Sequence, residues 1–134
     1  MESNELSGKV IGCAQKVHNT LGTGFLEKVY ENALRLELEA AGLSVQQQVP
    51  ITVYYRGQAV GEYYADLLVE GRMIVEIKAV QNLAKEHEVQ LVHYLTATEI
   101  DDGLLLNFGA SLDTKHKYRI YRPGRQRQNV KGQD

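Results

Sequence analysis

The sequence has no tryptophan, two prolines, two phenylalanines and one cysteine among its 134 residues. A single cysteine excludes an internal disulfide and a multi-cysteine zinc site. Cys13 sits on an apolar helical stripe with Val10, Ala14 and Val17, where a buried small hydrophobe is expected rather than a nucleophile. No apolar run reaches the ~18 residues of a membrane span. The opening Met1-Glu2-Ser3-Asn4-Glu5 is acidic where a signal peptide is basic. A cytoplasmic protein with no membrane partner is therefore expected. Excess charge of one sign is missing too: 15 Lys+Arg stand against 17 Asp+Glu. That balance excludes a uniformly basic nucleic-acid binder, though not a local basic patch.

What is present is an uneven distribution. Residues 1–113 hold 8 basic and 16 acidic side chains, whereas residues 114–134 hold 7 and 1. The basic set is Lys115, Lys117, Arg119, Arg122, Arg125, Arg127 and Lys131. An acidic body with a basic end suggests a polyanion partner, and a solvated tail gives the same pattern. The four histidines, His18, His87, His93 and His116, have no convincing ligand spacing, so surface or packing roles are expected.

The length favours one domain with a core of its own. Helical spacing runs over 6–21 and again over 25–41, where Gly42 is a stop signal. Three strand-like runs follow at 44–55, 59–69 and 73–80, and Pro50 points to a sheet edge in the first. A third helix is expected over 84–98, then short strands at 103–108 and 117–121. In the three-strand stretch the apolar residues are mostly odd-numbered, from Val49 to Ala79, which predicts one shared buried face. Three-residue turns, Arg56-Gly57-Gln58 and Glu70-Gly71-Arg72, would preserve that face and set Val69 opposite Met73.

That register sets Asp66 opposite Glu76, with Lys78 two residues further along the same face. Like charges directly opposed destabilise a strand pair unless a cation lies between them. Oxygen donors of this kind suit Mg²⁺ or Mn²⁺. A solvated face with a Glu–Lys pair is the plainer alternative, but the apolar neighbours Ile74, Val75, Ile77 and Ala79 suggest strands covered on both faces.

Asp66…Glu76-Ile77-Lys78 resembles the catalytic signature of the PD-(D/E)XK nuclease superfamily, with Ala65 where the signature has Pro. Gly24-Phe25-Leu26-Glu27-Lys28-Val29-Tyr30 matches the motif that names the GxxExxY protein family within it. Gln90-Leu91-Val92-His93-Tyr94 resembles the Gln-x-x-x-Tyr motif of its RecB-like branch. The resemblance spans about residues 5–122. It implies an α/β chain of mixed α+β type with a restriction-endonuclease-like core, a mixed sheet holding a three-strand antiparallel meander flanked by helices. That domain would take residues 1–122, leaving 123–134 as a basic, disordered tail.

The resemblance also implies roles. Asp66 and Glu76 would hold Mg²⁺ or Mn²⁺, with the Ile77 carbonyl as a further ligand. Lys78 would orient or deprotonate the attacking water, or neutralise phosphate charge, and Gln90 would orient Lys78 or that water. Glu27 would add an acidic group, although a carboxylate in a first helical turn also favours the helix dipole. Glu31 shares its face, and Tyr30 is expected to pack with a hydrogen-bonded hydroxyl. Tyr94 would contact phosphate or pack, and the basic end, with Lys115, Lys117, Arg119 and Arg122, would contact nucleic acid, DNA or RNA. A Mg²⁺-dependent phosphodiesterase, a nuclease, is the implied enzyme. The alternative is a binding or regulatory module on the same fold without turnover. A homodimer is expected by analogy, and an adaptor using Tyr54, Tyr55, Tyr63 and Tyr64 is a weaker idea.

Overall fold

Two helices begin the chain and share one apolar layer. Helix α1 (Ser3–Leu21) buries Leu6, Val10, Ala14 and Val17, and α2 (Glu27–Ala40) buries Tyr30, Leu34 and Leu38. These stripes have helical spacing, so each helix presents one apolar face. A computed structural model of the chain describes residues 1–121. Arg122, Arg125, Arg127, Lys131 and the tail expected over 123–134 lie outside the described residues.

Five strands follow: β1 (Val45–Tyr55), β2 (Gln58–Val69), β3 (Met73–Lys78), β4 (Asp102–Phe108) and β5 (Leu112–Tyr118). Helix α3 (Lys85–Thr98) connects β3 to β4. The sheet order is β1-β2-β3-β4-β5, antiparallel except for the parallel β3–β4 pair that α3 bridges. This is the mixed α+β architecture with an antiparallel meander expected above. Strand β1 is an edge, as Pro50 suggested. The last strand begins five residues earlier than the expected 117, because a tight turn after Phe108 brings Leu112 back opposite it.

One face of the sheet carries Leu67, Val69, Met73, Val75, Ile77, Leu104, Leu106 and Phe108 against α1 and α2. The other carries Ile51, Ala65, Ile74 and Leu105 against Leu91, Tyr94, Leu95 and Ala97 of α3. Gly103 lets α3 lie close to β4, since a Cβ there would stand 2.9 Å from Leu91 Cδ1 and 3.0 Å from Leu95 Cδ1.

The single odd-numbered face does not hold. Val49, Ile51 and Ala65 pack under α3, whereas Leu67, Val69, Met73, Val75 and Ile77 pack under α1 and α2. The side changes where the hairpin ladder skips one rung: Gln47 pairs with Leu67 and Val49 with Ala65, but Gln48 and Asp66 do not pair. Gln48 has φ 52, a left-handed conformation that turns the strand over at this point. The first turn also differs from expectation. Arg56 and Gly57, both with positive φ, form a two-residue turn, and the extra residue is instead Val60, bulged from β2 opposite the Val53–Tyr54 step. The second turn matches its expected length, with Val69 opposite Met73.

Candidate active site

The skipped rung and the end of the β2–β3 ladder fall at the same residue. Pairing between β2 and β3 stops at Leu67–Val75, one rung short of Asp66–Glu76. In place of that rung the two acids clasp the backbone. The Asp66 N–H donates to Glu76 Oε2 at 2.8 Å, and the Ile77 N–H donates to Asp66 Oδ2 at 2.8 Å. The expected side-by-side pair is thus a reciprocal lock between side chain and main chain. It brings the two carboxylates together on different terms from a regular ladder.

Glu31 of α2 reaches the same place. It is 3% exposed and accepts from Lys28 Nζ at 3.1 Å and Gln47 Nε2 at 2.7 Å. The Gln48 amide donates to Glu31 Oε1 and Oε2, both at 3.2 Å, and to Asp66 Oδ1 at 3.2 Å. Glu27, one turn earlier, is exposed. The orientation of α2 is fixed by Tyr30, fully buried and stacked on Phe108 with ring centres 4.5 Å apart. Its hydroxyl donates to the Gly22 carbonyl at 2.7 Å and accepts from the Phe25 N–H at 3.3 Å. Tyr30 therefore pins the α1–α2 loop, where Gly24 has φ 108.

The electrostatics are those of negative charge without enough compensation. Burial pushes the Glu76 carboxyl from an ordinary 4.5 up to about 8. Asp66 and Glu31 add to the push, while the Asp66 N–H and Lys78 oppose it. The Asp66 carboxyl is also raised, first by burial and then by Glu31, against the pull of the Ile77 N–H, Gln48 and Lys78. Lys78 thus lies close enough to favour ionisation of both acids, but their desolvation outweighs it.

On α3 the buried residues are Leu91, Tyr94, Leu95 and Ala97. Tyr94 belongs to the buried stripe with Leu91 and Leu95, and Val89 is exposed. Burial, followed by Glu76 and Asp66, pushes the Tyr94 hydroxyl up to about 12. Its ring meets Tyr63 at 5.6 Å. Gln90 is exposed and lines a groove of about 1000 Å³ with Ile51, Val53, Tyr63 and Tyr94. Asp66, Glu76, Glu31 and Lys78 do not line this groove; Tyr94 lines it and also feels the charge of Glu76 and Asp66.

The basic candidates separate. Lys117 pairs with Glu88 at 3.0 Å, and Arg119 pairs with Asp101 at 2.9 Å and lies 4.1 Å over the Tyr121 ring. Lys115 is exposed on the α3 side of β5, on the rung that runs through Leu105 to Glu76. Two strand spacings put it about 10 Å from the β3 backbone. Three of the four histidines have partners in the fold: His87 Nδ1 accepts from the Ala84 N–H at 3.1 Å, His18 Nε2 meets the Gly109 carbonyl at 2.8 Å, and His116 meets Asp102 at 3.2 Å, while His93 is exposed. Cys13 is half-buried on α1, and burial pushes its thiol up.

Among the described residues, no three His, Cys, Asp or Glu side chains stand ready-made around one point. The donor set nevertheless suits a hard divalent cation: Asp66, Glu76 and Glu31 offer only oxygens, and the first two are held partly desolvated with raised pKa values. A cation would relieve that cost by drawing the oxygens together.

A mixed sheet with helices on both faces, and acids locked to the backbone where its meander opens, defines a nuclease-like α+β protein. The chain belongs to the PD-(D/E)XK nuclease superfamily, whose model matches residues 4–120. Among solved structures it is similar to the crystal structure of SSO0001, with a TM-score of 0.58 and 15% identity, covering 72% of this chain. The chain spans about half of that structure's length, 52%. At this identity the likeness shows the fold alone. No curated protein matches the chain.

Proposed function

We propose that this protein is a divalent-metal-dependent nuclease that hydrolyses phosphodiester bonds of DNA or RNA, and that it falls in the GxxExxY branch of its superfamily. The observation that carries this reading is the pair Asp66 and Glu76, locked against the backbone at the strand break and both raised in pKa beside Lys78. Such charge is costly without a cation. Asp66 and Glu76 would hold Mg²⁺ or Mn²⁺, with the Ile77 carbonyl as a further ligand and Glu31, rather than Glu27, as the acid supplied by α2. A bound metal would supply Lewis acidity and a more acidic water. Lys78 would orient the water or neutralise phosphate charge. Gln90 and the protonated Tyr94 would position substrate from the groove side. Lys115 would reach phosphate more readily than Lys117 or Arg119, which are already paired.

The test is calorimetric titration of Mg²⁺ and Mn²⁺ into wild type and Asp66→Asn, followed by incubation with single- and double-stranded DNA and RNA. Metal binding and cleavage by wild type, both absent in Asp66→Asn, is the expected result. Metal binding without cleavage of any polymer would favour a regulatory module.

A further inference from the structure

Gln48 is placed as no ordinary strand residue would be. Its φ of 52 is a conformation disfavoured for a residue with a side chain, and its rung of the hairpin ladder is missing. What this conformation produces is one contact set: Nε2 stands 3.2 Å from Glu31 Oε1, Glu31 Oε2 and Asp66 Oδ1. The amide thus lies between two carboxylates from different elements. Gln48 is exposed, so solvent lies open for its side chain to swing into. Gln47 differs: it also donates to Asn32 Oδ1 at 3.0 Å, which ties it to the outside of α2.

An amide N–H₂ donates to the lone pairs that a cation would use, but it carries only partial positive charge. It therefore substitutes weakly for a metal and competes with one. The lack of a ready-made carboxylate cage among the described residues fits this, because two of the acids are held by a donor between them.

We propose that Gln48 is a positioning residue that acts as a removable place-holder, holding Glu31 and Asp66 in the metal-free protein and releasing their oxygens when a divalent cation binds. This rests on the reading of the cluster as a metal site.

The test is calorimetric titration of Mn²⁺ into wild type, Gln48→Gly and Gln48→Ala, each also in a Glu31→Gln background. Glycine adopts positive φ freely, so Gln48→Gly removes the amide and keeps the backbone. Loss of hydrogen bonds made only in the metal-free state should tighten Mn²⁺ binding by about threefold to tenfold. In the Glu31→Gln background the gain should shrink. A merely structural role would lower the unfolding temperature without tightening metal binding. Wild-type binding with equal or weaker binding by both single variants overturns the place-holder alone. No Mn²⁺ binding by wild type or variants overturns the metal reading as well.

Discussion

Burying Glu76 works against the metal-free fold. Its folded value of about 8 lies above the ordinary 4.5, so folding favours the protonated form. The stability this contributes is fully present below about pH 4.5 and is lost as pH rises through about 8. Thermal unfolding in EDTA should therefore show a wild-type decline between pH 5 and pH 8.5 that is shallower in Glu76→Gln. At pH 8 the variant should be at least as stable as wild type, while losing metal binding. Tyr30→Phe tests a different residue: losing the bonds to Gly22 and Phe25 should cost about 1 kcal/mol in urea unfolding, with the ring stack retained. Asp66, Glu76 and Lys78 were legible in the sequence because one short hairpin turn brings them together. Glu31 was not legible in preference to Glu27, because the two share a helix face. Which of them turns inward depends on how the Tyr30 anchor rotates α2.

At the scale of elements, the helices and the antiparallel meander followed from periodicity and turn residues. The change of side between Ala65 and Leu67 did not, for a physical reason. Parity continues unbroken through the skipped rung, so alternation in the sequence reads the same on both sides of it. Only the left-handed Gln48 marks the place, and glutamine is not a residue type that announces positive φ. The first turn departs from its expected length for a related reason: an extra residue in a turn and an extra residue in a bulge leave the same register further along the hairpin. Close packing of α3 on β4 makes its own prediction. Gly103→Ala would drive a methyl into Leu91 and Leu95 and should cost about 1–3 kcal/mol in chemical denaturation.

For the whole molecule, the near balance of 15 basic and 17 acidic side chains has a structural meaning. Part of the acidic excess is gathered at one buried cluster, and part of the basic end is already neutralised by Glu88 and Asp101. A weakly charged chain is thus compatible with a polyanionic substrate, provided a cation completes the site. Lys78 is the residue that separates metal binding from chemistry in this account. The most direct test is divalent-metal-dependent cleavage of mixed DNA and RNA by wild type and Lys78→Ala, with Mn²⁺ affinity measured on the same samples. Wild type should cleave in a way that EDTA abolishes, and Lys78→Ala should bind Mn²⁺ normally but cleave at least 100-fold more slowly, roughly the loss expected for a group acting on the attacking water. Equal cleavage by both proteins, or cleavage that persists in EDTA, would contradict this reading.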